Sequence, residues 1–360
     1  MPHIWQSPFW PRFTYDPAAV ELALADAQEA LGEAQGLQAG LSGDDLENLR
    51  LGQIVQEALS SFGIEGVTLN AAEIEASVIA SLRHRERAVL SRRSDAIVAL
   101  MLAAREATGS LTEEDLFEWH RLLFYGMEVE DKGGWRRFDI EIVRSAAAGK
   151  QEVLYAAPPP DRVADEMRGF LDWLAQPRPL PVPIAAAIAH LWFESIHPFS
   201  DGNGRIGRAI IEHVFATGRA LPFSLSRQIE REKKAYYQAL QAGRREGEGA
   251  VDATAFVLWF LRCLQKGAEA SREEARYLLR RNAFFLRYGP ALSPRQRHAL
   301  EVVFAQGLKR VAAGLSARSY RKITGVSAAT ATRDLTALER QGVLVRSEAG
   351  GRAVTYAMNL

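Results

Sequence analysis

Ile196-His-Pro-Phe-Ser-Asp-Gly-Asn-Gly-Arg-Ile-Gly-Arg208 is a short loop set between two helical patterns. Residues Leu191 to Phe199 end an apolar helix, and Arg205-Ile-Gly-Arg-Ala-Ile-Ile-Glu-His-Val-Phe215 begins another. Gly202 and Gly204 let the loop backbone turn tightly and aim amide groups inward, while the following helix offers its positive N-terminal end. Together they make an anion site suited to phosphate. Arg205 and Arg208, three apart on the first turn, lie on adjoining faces and extend the grip on phosphate oxygens. Asp201 supplies a hard carboxylate oxygen suited to Mg²⁺ held together with phosphates. His197, just before the loop, is the nearby group able to accept a proton at neutral pH. Gly202, Gly204 and Gly207 formally spell a dinucleotide-binding Gly-x-Gly-x-x-Gly, but no strand precedes them and no βαβ unit surrounds them, so that reading is rejected.

Outward from this loop the chain reads as mainly α. Leu111-Thr-Glu-Glu-Asp-Leu-Phe-Glu-Trp-His-Arg-Leu-Leu-Phe124 has helical apolar spacing with Thr112 as its cap. Strand signals stand in two places. The first is Phe138-Asp-Ile-Glu-Ile-Val143 and Glu152-Val-Leu-Tyr155, two alternating runs that predict a β-hairpin turning over Ser145 to Lys150. Pro158-Pro-Pro160 closes that hairpin and starts a helix, and Gln176-Pro-Arg-Pro-Leu-Pro-Val-Pro183 is a stiff connector between two helices. The second strand signal follows Ser293-Pro294, a cap and first-turn pair that opens a new pattern. Three helices are expected there, the last capped by Ser327 and closed by Gly342. Val343-Leu-Val-Arg346 and Ala353-Val-Thr-Tyr-Ala-Met358 then flank the turn Glu348-Ala-Gly-Gly-Arg352. That order is a winged helix-turn-helix.

With 48% hydrophobic and 24% charged residues, 360 residues can bury one substantial core and a smaller second one. The 44 basic and 44 acidic residues balance, so nothing draws the whole chain toward nucleic acid or an anionic membrane. Residues 291–360 differ, with eleven Lys or Arg against four acids. The start, Met1-Pro-His-Ile-Trp-Gln-Ser-Pro-Phe-Trp10, does not read as a secretory signal, and the apolar runs are too short to span a bilayer. A single cysteine, Cys263, sits in an apolar run and fits a reducing compartment, so the expectation is a cytoplasmic protein without membrane contact. The remaining histidines, His3, His84, His120, His190, His213 and His298, show no metal-ligand spacing and read as core or surface residues.

The segment His197 to Arg208 resembles, at every defining position, the active-site motif His-x-Phe-x-(Asp/Glu)-Gly-Asn-Gly-Arg-x-x-Arg of the Fic family. Gly134-Trp-Arg136, the hairpin and Tyr155-Ala-Ala-Pro-Pro-Pro160 are similar to that family's flap region, and Tyr236-Tyr237-Gln-Ala-Leu240 to an element near the adenine. The resemblance implies a Fic-type helical core with a β-hairpin flap, plus the C-terminal winged helix-turn-helix. The implied boundaries are an N-terminal helical region with an inhibitory helix over 1–90, a catalytic core over 91–268, a helical linker over 269–290 and the winged helix over 291–360.

By the same resemblance the protein is an adenylyltransferase. His197 deprotonates a Ser, Thr or Tyr hydroxyl of a target protein aligned along the flap by strand pairing, and that hydroxyl attacks the α-phosphate of ATP as pyrophosphate leaves. Asp201 holds Mg²⁺ on the phosphates, Gly202, Asn203 and Gly204 cradle their oxygens, Arg205 and Arg208 bind the outer ones, and Tyr237 lies by the nucleotide. Phe199 anchors the loop. Ser61-Phe-Gly-Ile-Glu-Gly66 resembles the family's inhibitory pattern (Ser/Thr)-x-x-x-Glu-(Gly/Asn), which implies that Glu65, supported by Ser61, silences transfer by pairing with Arg208. Rival readings are removal of AMP from a modified protein at the same site, transfer of UMP, phosphate or phosphocholine, and a DNA-binding regulator acting through residues 291–360 with the Fic core as sensor. The resemblance leaves room for a homodimer.

Overall fold

Why the chain should place a rigid loop at residues 197–204 is visible in the two helices that carry it. The helix α7 (Val182–Ile196) is buried from Pro183 to Ile196, and α8 (Asn203–Ala216) is buried from Arg205 to Phe215. Two helices so enclosed have one way to pack, which fixes the loop between them. The computed structural model describes residues 3–83, 90–106, 109–145, 151–177, 180–347 and 354–360, with the side chains of residues 83, 143–145, 151, 152 and 154 excepted. His84, most of the hairpin turn Ser145–Lys150 and the turn Glu348–Arg352 lie outside the described residues.

The chain forms two compact units, Met1–Arg272 and Glu273–Leu360. Within the first, a 3₁₀ turn at Ile4–Gln6 and the short strand β1 (Phe13–Thr14) precede α1 (Pro17–Ala39), α2 (Gly43–Ile64), α3 (Ala71–Arg83), α4 (Arg93–Arg105) and α5 (Glu113–Leu123). Then come the antiparallel hairpin of β2 (Glu141–Ser145) and β3 (Gln151–Ala156), α6 (Pro160–Ala175), α7 and α8. The unit continues with α9 (Leu225–Arg231), α10 (Lys233–Ala242), β4 (Arg245–Glu246), β5 (Val251–Asp252) and the first part of α11 (Thr254–Tyr288). One apolar cluster runs from Val20 of α1 through Phe62, Leu123, Phe193, Phe199 and Ile210 to Ala268, so the N-terminal helices share a core with the segment that carries the motif. A smaller cluster of Ile4, Tyr155, Ala157 and Val251 ties the N-terminal aromatic segment to the hairpin.

The caps read from the sequence hold. Thr112 and Asp115 form a capping box on α5, Pro160 opens α6, and the proline connector separates α6 from α7. Cys263 is buried core. One sheet was not legible: β1, β5 and β4, in that order, are strands of two residues each, too short to show alternation.

The second unit holds the rest of α11, α12 (Pro294–Ala305), α13 (Leu308–Ala312), β6 (Leu315–Ser316), α14 (Ala317–Thr324), α15 (Ala328–Arg340), β7 (Leu344–Arg346) and β8 (Thr355–Met358). Among the described residues its helices after α11 number four rather than the three expected, because five-residue α13 is too short to show a helical period. Ser293 and Ser327 cap α12 and α15 through their side chains, and Gly342 follows α15 with φ of 70°. The three strands run in the order β6-β8-β7, all pairs antiparallel, over a core built on Leu300, Phe304, Tyr320, Leu335 and Leu338. Among the described residues no helix is long and apolar enough to cross a membrane.

Candidate active site

The loop between α7 and α8 is held in an unusual backbone path. His197 caps α7 in the left-handed region, φ 53° and ψ 59°, a conformation that costs a non-glycine residue about 1–2 kcal/mol. Its N–H donates to Phe193 O at 2.9 Å and its carbonyl accepts Arg136 Nε at 2.8 Å, which offsets that cost. Gly202 has φ of 83°, and a Cβ there would meet Leu123 Cδ2 at 2.5 Å, so only glycine fits. Asn203 closes the loop across itself: its Oδ1 accepts Phe199 N–H at 2.9 Å and its Nδ2 donates to Phe199 O at 2.8 Å. The Asn203 side chain is therefore a brace of the loop, and only its backbone is left to cradle an anion.

His120 of α5 is a second brace, one the sequence showed as an ordinary helix histidine. Gly133 N–H donates to its Nδ1 at 2.9 Å, which leaves the proton on Nε2, 3.2 Å from the Asp201 carbonyl. Its ring stacks on Phe199 with centroids 4.2 Å apart, and burial holds it neutral, down to about 4. Phe199 is fully buried, as its role as anchor requires.

Arg136 is the third brace. Fully buried, it donates to the carbonyls of His197, Phe138, Pro158 and Ile196, stitching the hairpin base to the loop. Burial lowers its pKa against the opposing pull of Asp139, and four carbonyl acceptors satisfy its charge. Arg244, following α10, lies 4.2 Å over the Tyr155 ring and donates to Ser195 Oγ and Glu194 O at 3.0 and 2.7 Å. Tyr155 OH in turn donates to Ser195 O at 2.6 Å.

These braces surround a cavity of about 260 Å³ lined by His197, Asp201, Gly202, Gly204, Arg205, Tyr237, Glu65, Glu194 and Arg244, among others. The His197 side chain is 19% exposed; burial first, then the Arg244 guanidinium, hold its imidazole neutral, at about 4. Glu194 Oε2 lies 3.8 Å from His197 Nδ1, and burial pushes the Glu194 carboxyl up to about 7 against the opposing pull of Arg244. Asp201 is 62% exposed; its Oδ1 accepts the Gly202 N–H and Arg205 Nη2 at 2.5 and 3.1 Å, leaving Oδ2 for solvent or a cation. Arg205 is clamped between the Phe62 and Phe124 rings at 5.2 and 5.1 Å. Tyr237 stands at the cavity wall, its hydroxyl pushed up to about 12 by burial and then by Glu65.

Glu65 follows the end of α2 and reaches the N-terminus of α8. Its Oε1 accepts Arg208 Nη2 at 2.8 Å, while Ser61 takes the same guanidinium through its Oγ at 3.0 Å and its carbonyl at 2.7 Å. Arg208 is 2% exposed; burial alone would lower its pKa, and Glu65 reverses that. The same Oε1 fills the space where a Gly204 side chain would stand, so the carboxylate sits at the start of α8, where the helix favours negative charge. Of the residues named from the sequence for this site, His197, Asp201, Gly202, Asn203, Gly204, Arg205, Tyr237 and Glu65 line one cavity, and Arg208 and Ser61 stand behind Glu65. His120, Arg136, Glu194 and Arg244 complete it without having been singled out.

Residues 110–215 match the Fic/DOC family, and residues 3–83 match a domain of unknown function, DUF4172. A probable protein adenylyltransferase of Aquifex aeolicus is 29% identical over 161 residues, 44% of this chain and 45% of that one. The protein adenylyltransferase Fic of Culex quinquefasciatus is 28% identical over 251 residues, 66% of this chain and 45% of that one. The chain spans less than half the length of these curated relatives. A solved Fic family protein from Desulfovibrio desulfuricans superposes with a TM-score of 0.56 at 22% identity, covering 98% of both chains. Fic-1 of C. elegans gives 0.50 at 19% identity over 73% of this chain and 76% of that one. Residues 110–215 are a Fic/DOC domain, set in a mainly helical chain with Fic-fold neighbours.

Proposed function

We propose that this protein transfers AMP from ATP to a Ser, Thr or Tyr hydroxyl of a target protein, with His197 as base. The observation that carries the reading is the pairing of a neutral imidazole with an anion site: His197 shares one cavity with the glycine-lined N-terminus of α8. A base held neutral takes the hydroxyl proton, and the amides of Gly202 to Gly204, with Arg205 and Arg208, stabilise charge on the phosphates as the oxygen–phosphorus bond forms and pyrophosphate departs. Asp201 fits Mg²⁺, since its Oδ2 is unengaged and exposed while a cation bound with phosphates needs few protein ligands; bound there, Mg²⁺ would neutralise phosphate charge. Tyr237, at the cavity wall, suits the adenine side.

The target segment would add to the hairpin along β2. Ala156 of β3 is already capped from outside, its N–H donating to His3 Nδ1 at 3.2 Å and its carbonyl accepting Trp5 Nε1 at 2.8 Å. Ile140 and Ile142, on the β2 side, line the cavity. Strand pairing there would carry a hydroxyl toward His197.

Glu65 would keep the enzyme quiet by holding Arg208 and filling the anion site. The same carboxylate lines the cavity near His197, which favours a second activity, alignment of a water to remove AMP from a modified protein. Composition suits a cytoplasmic setting, and the element order of residues 291–360 suits a winged helix. The deciding experiment offers α-labelled and γ-labelled ATP with Mg²⁺ to the full chain and to Glu65→Gly. Label from the α position alone, in the protein fraction, is expected; protein label from the γ position would overturn AMP transfer in favour of phosphate transfer.

A further inference from the structure

The cations of the α14–α15 pair have no part in this chemistry. α14 ends at Gly325, φ 71°, and a three-residue turn leads to the cap Ser327 and α15. The buried face of α15 carries Ala331, Leu335 and Leu338. Asp334 also points inward, its carboxylate taken by Arg295 Nε at 2.8 Å and Tyr320 OH at 3.0 Å. The outward face shows Thr332, Arg333, Thr336 and Arg340, all exposed, with the half-buried Glu339 at its margin. Arg318, Arg321 and Lys322 of α14 and Arg346 of β7 are exposed as well. Among the described residues none of these six cations makes an ion pair; Arg321 only reaches the Val326 carbonyl, at 3.4 Å.

We infer that the α14–α15 pair binds duplex DNA, with α15 in the major groove. An α-helix fits a groove about 12 Å wide, and a helix whose outer face is threonine between arginines can approach base edges closely. Cations on the packed neighbours α14 and β7, on elements either side of α15 in the chain, suit phosphates flanking a groove, and unpaired exposed cations bring counterion release as the driving force. An acidic protein segment would need apolar anchors to bind specifically, and this face of α15 offers none.

The test titrates a fluorescein-labelled mixed-sequence duplex of about 30 base pairs with the full chain and follows anisotropy through a salt series. Five phosphate contacts would give a slope of about −4.5 in log affinity against log salt. Arg333→Ala should weaken binding about tenfold and flatten the slope by about 0.9, and Arg321→Ala with Lys322→Ala by about 1.8. All three side chains are exposed, so thermal unfolding should not move. No binding at low salt overturns the inference. So does affinity unchanged in both variants, or competition by polyglutamate as strong as by unlabelled duplex, which would point to an acidic protein partner.

Discussion

Two regions of this molecule present arginines in opposite ways. Around the loop from His197 to Arg208, Arg136, Arg205 and Arg208 are buried, and each has named partners: four carbonyls for Arg136, the Asp201 carboxylate and two aromatic rings for Arg205, and the Ser61–Glu65 pair for Arg208. On α14 and α15 the cations are exposed and, among the described residues, make no ion pair. An ion pair at 4 Å is worth about 1 kcal/mol in water and about 4 at an effective dielectric of 20, so the first group is organised by the protein while the second waits on a partner. Group transfer requires charges fixed before the substrate arrives, whereas recognition of a phosphate backbone works with solvated ones.

The sharpest way to break the comparison is at the base. His197→Ala should lower transfer from α-labelled ATP by about a thousandfold in a chain that still folds, because its side chain faces the cavity and is not packed in the apolar core. A folded variant that transfers label as before would remove His197 from the chemistry. Next is a paired deletion of arginines. Arg136→Ala leaves four carbonyls without their shared donor and should cost about 3–5 kcal/mol of stability, whereas Arg333→Ala should stay within about 0.5 kcal/mol. Equal unfolding temperatures for the two would erase the distinction.

Regulation supplies the next test. Glu65→Gly should raise self-modification at least about tenfold, equal to removing about 1.4 kcal/mol of inhibition, since it frees Arg208 and the start of α8. Adding Arg208→Ala should cancel the gain because the freed guanidinium is then missing. If Glu65→Gly leaves transfer unchanged in an active preparation, Glu65 only ends a helix.

What the sequence displayed follows the same division. The loop was legible because its constraints are local: Gly202 for a positive φ, Asp201 and Arg205 one helical turn apart, His197 at a helix end. The Glu65–Arg208 pair joins residues 143 apart and was reached only through the likeness of Ser61 to Gly66 to a known pattern. His120 and Arg244 act through contacts far along the chain, with Asp201 and Phe199 and with Tyr155, Glu194 and Ser195, and nothing in their own neighbourhood of the chain records that. Arg136 stood in a quoted segment, but its four acceptors come from three separate stretches that only folding assembles. The two-residue strands and α13 were too short for periodicity to reveal.

The smallest expected effect concerns pH, and it tests whether the buried acid beside the base matters. His197 must be neutral to accept a proton, and with its pKa held at about 4 it stays neutral throughout the range from about pH 6 to 8. On its own it would give a flat profile there. Glu194, pushed up to about 7, does titrate in that range, and its surroundings are Arg244, Glu65, Arg208 and His197. Above pH 7 the ionised carboxylate, 3.8 Å from His197 Nδ1, favours the imidazolium that forms as the hydroxyl proton arrives. Transfer by Glu65→Gly should therefore rise about threefold from pH 6 to 8, worth about 0.7 kcal/mol of barrier, with a midpoint below 7 because Glu65, whose charge helps to raise Glu194, is gone. An unshifted histidine would also give a rising limb, with a midpoint of about 6.5, so the profile alone does not decide. Glu194→Gln decides, because it removes the carboxylate and leaves the base. A flat profile in that variant assigns the limb to Glu194. A limb that persists assigns it to His197, and the imidazole is then less shielded than its burial and the nearby Arg244 imply.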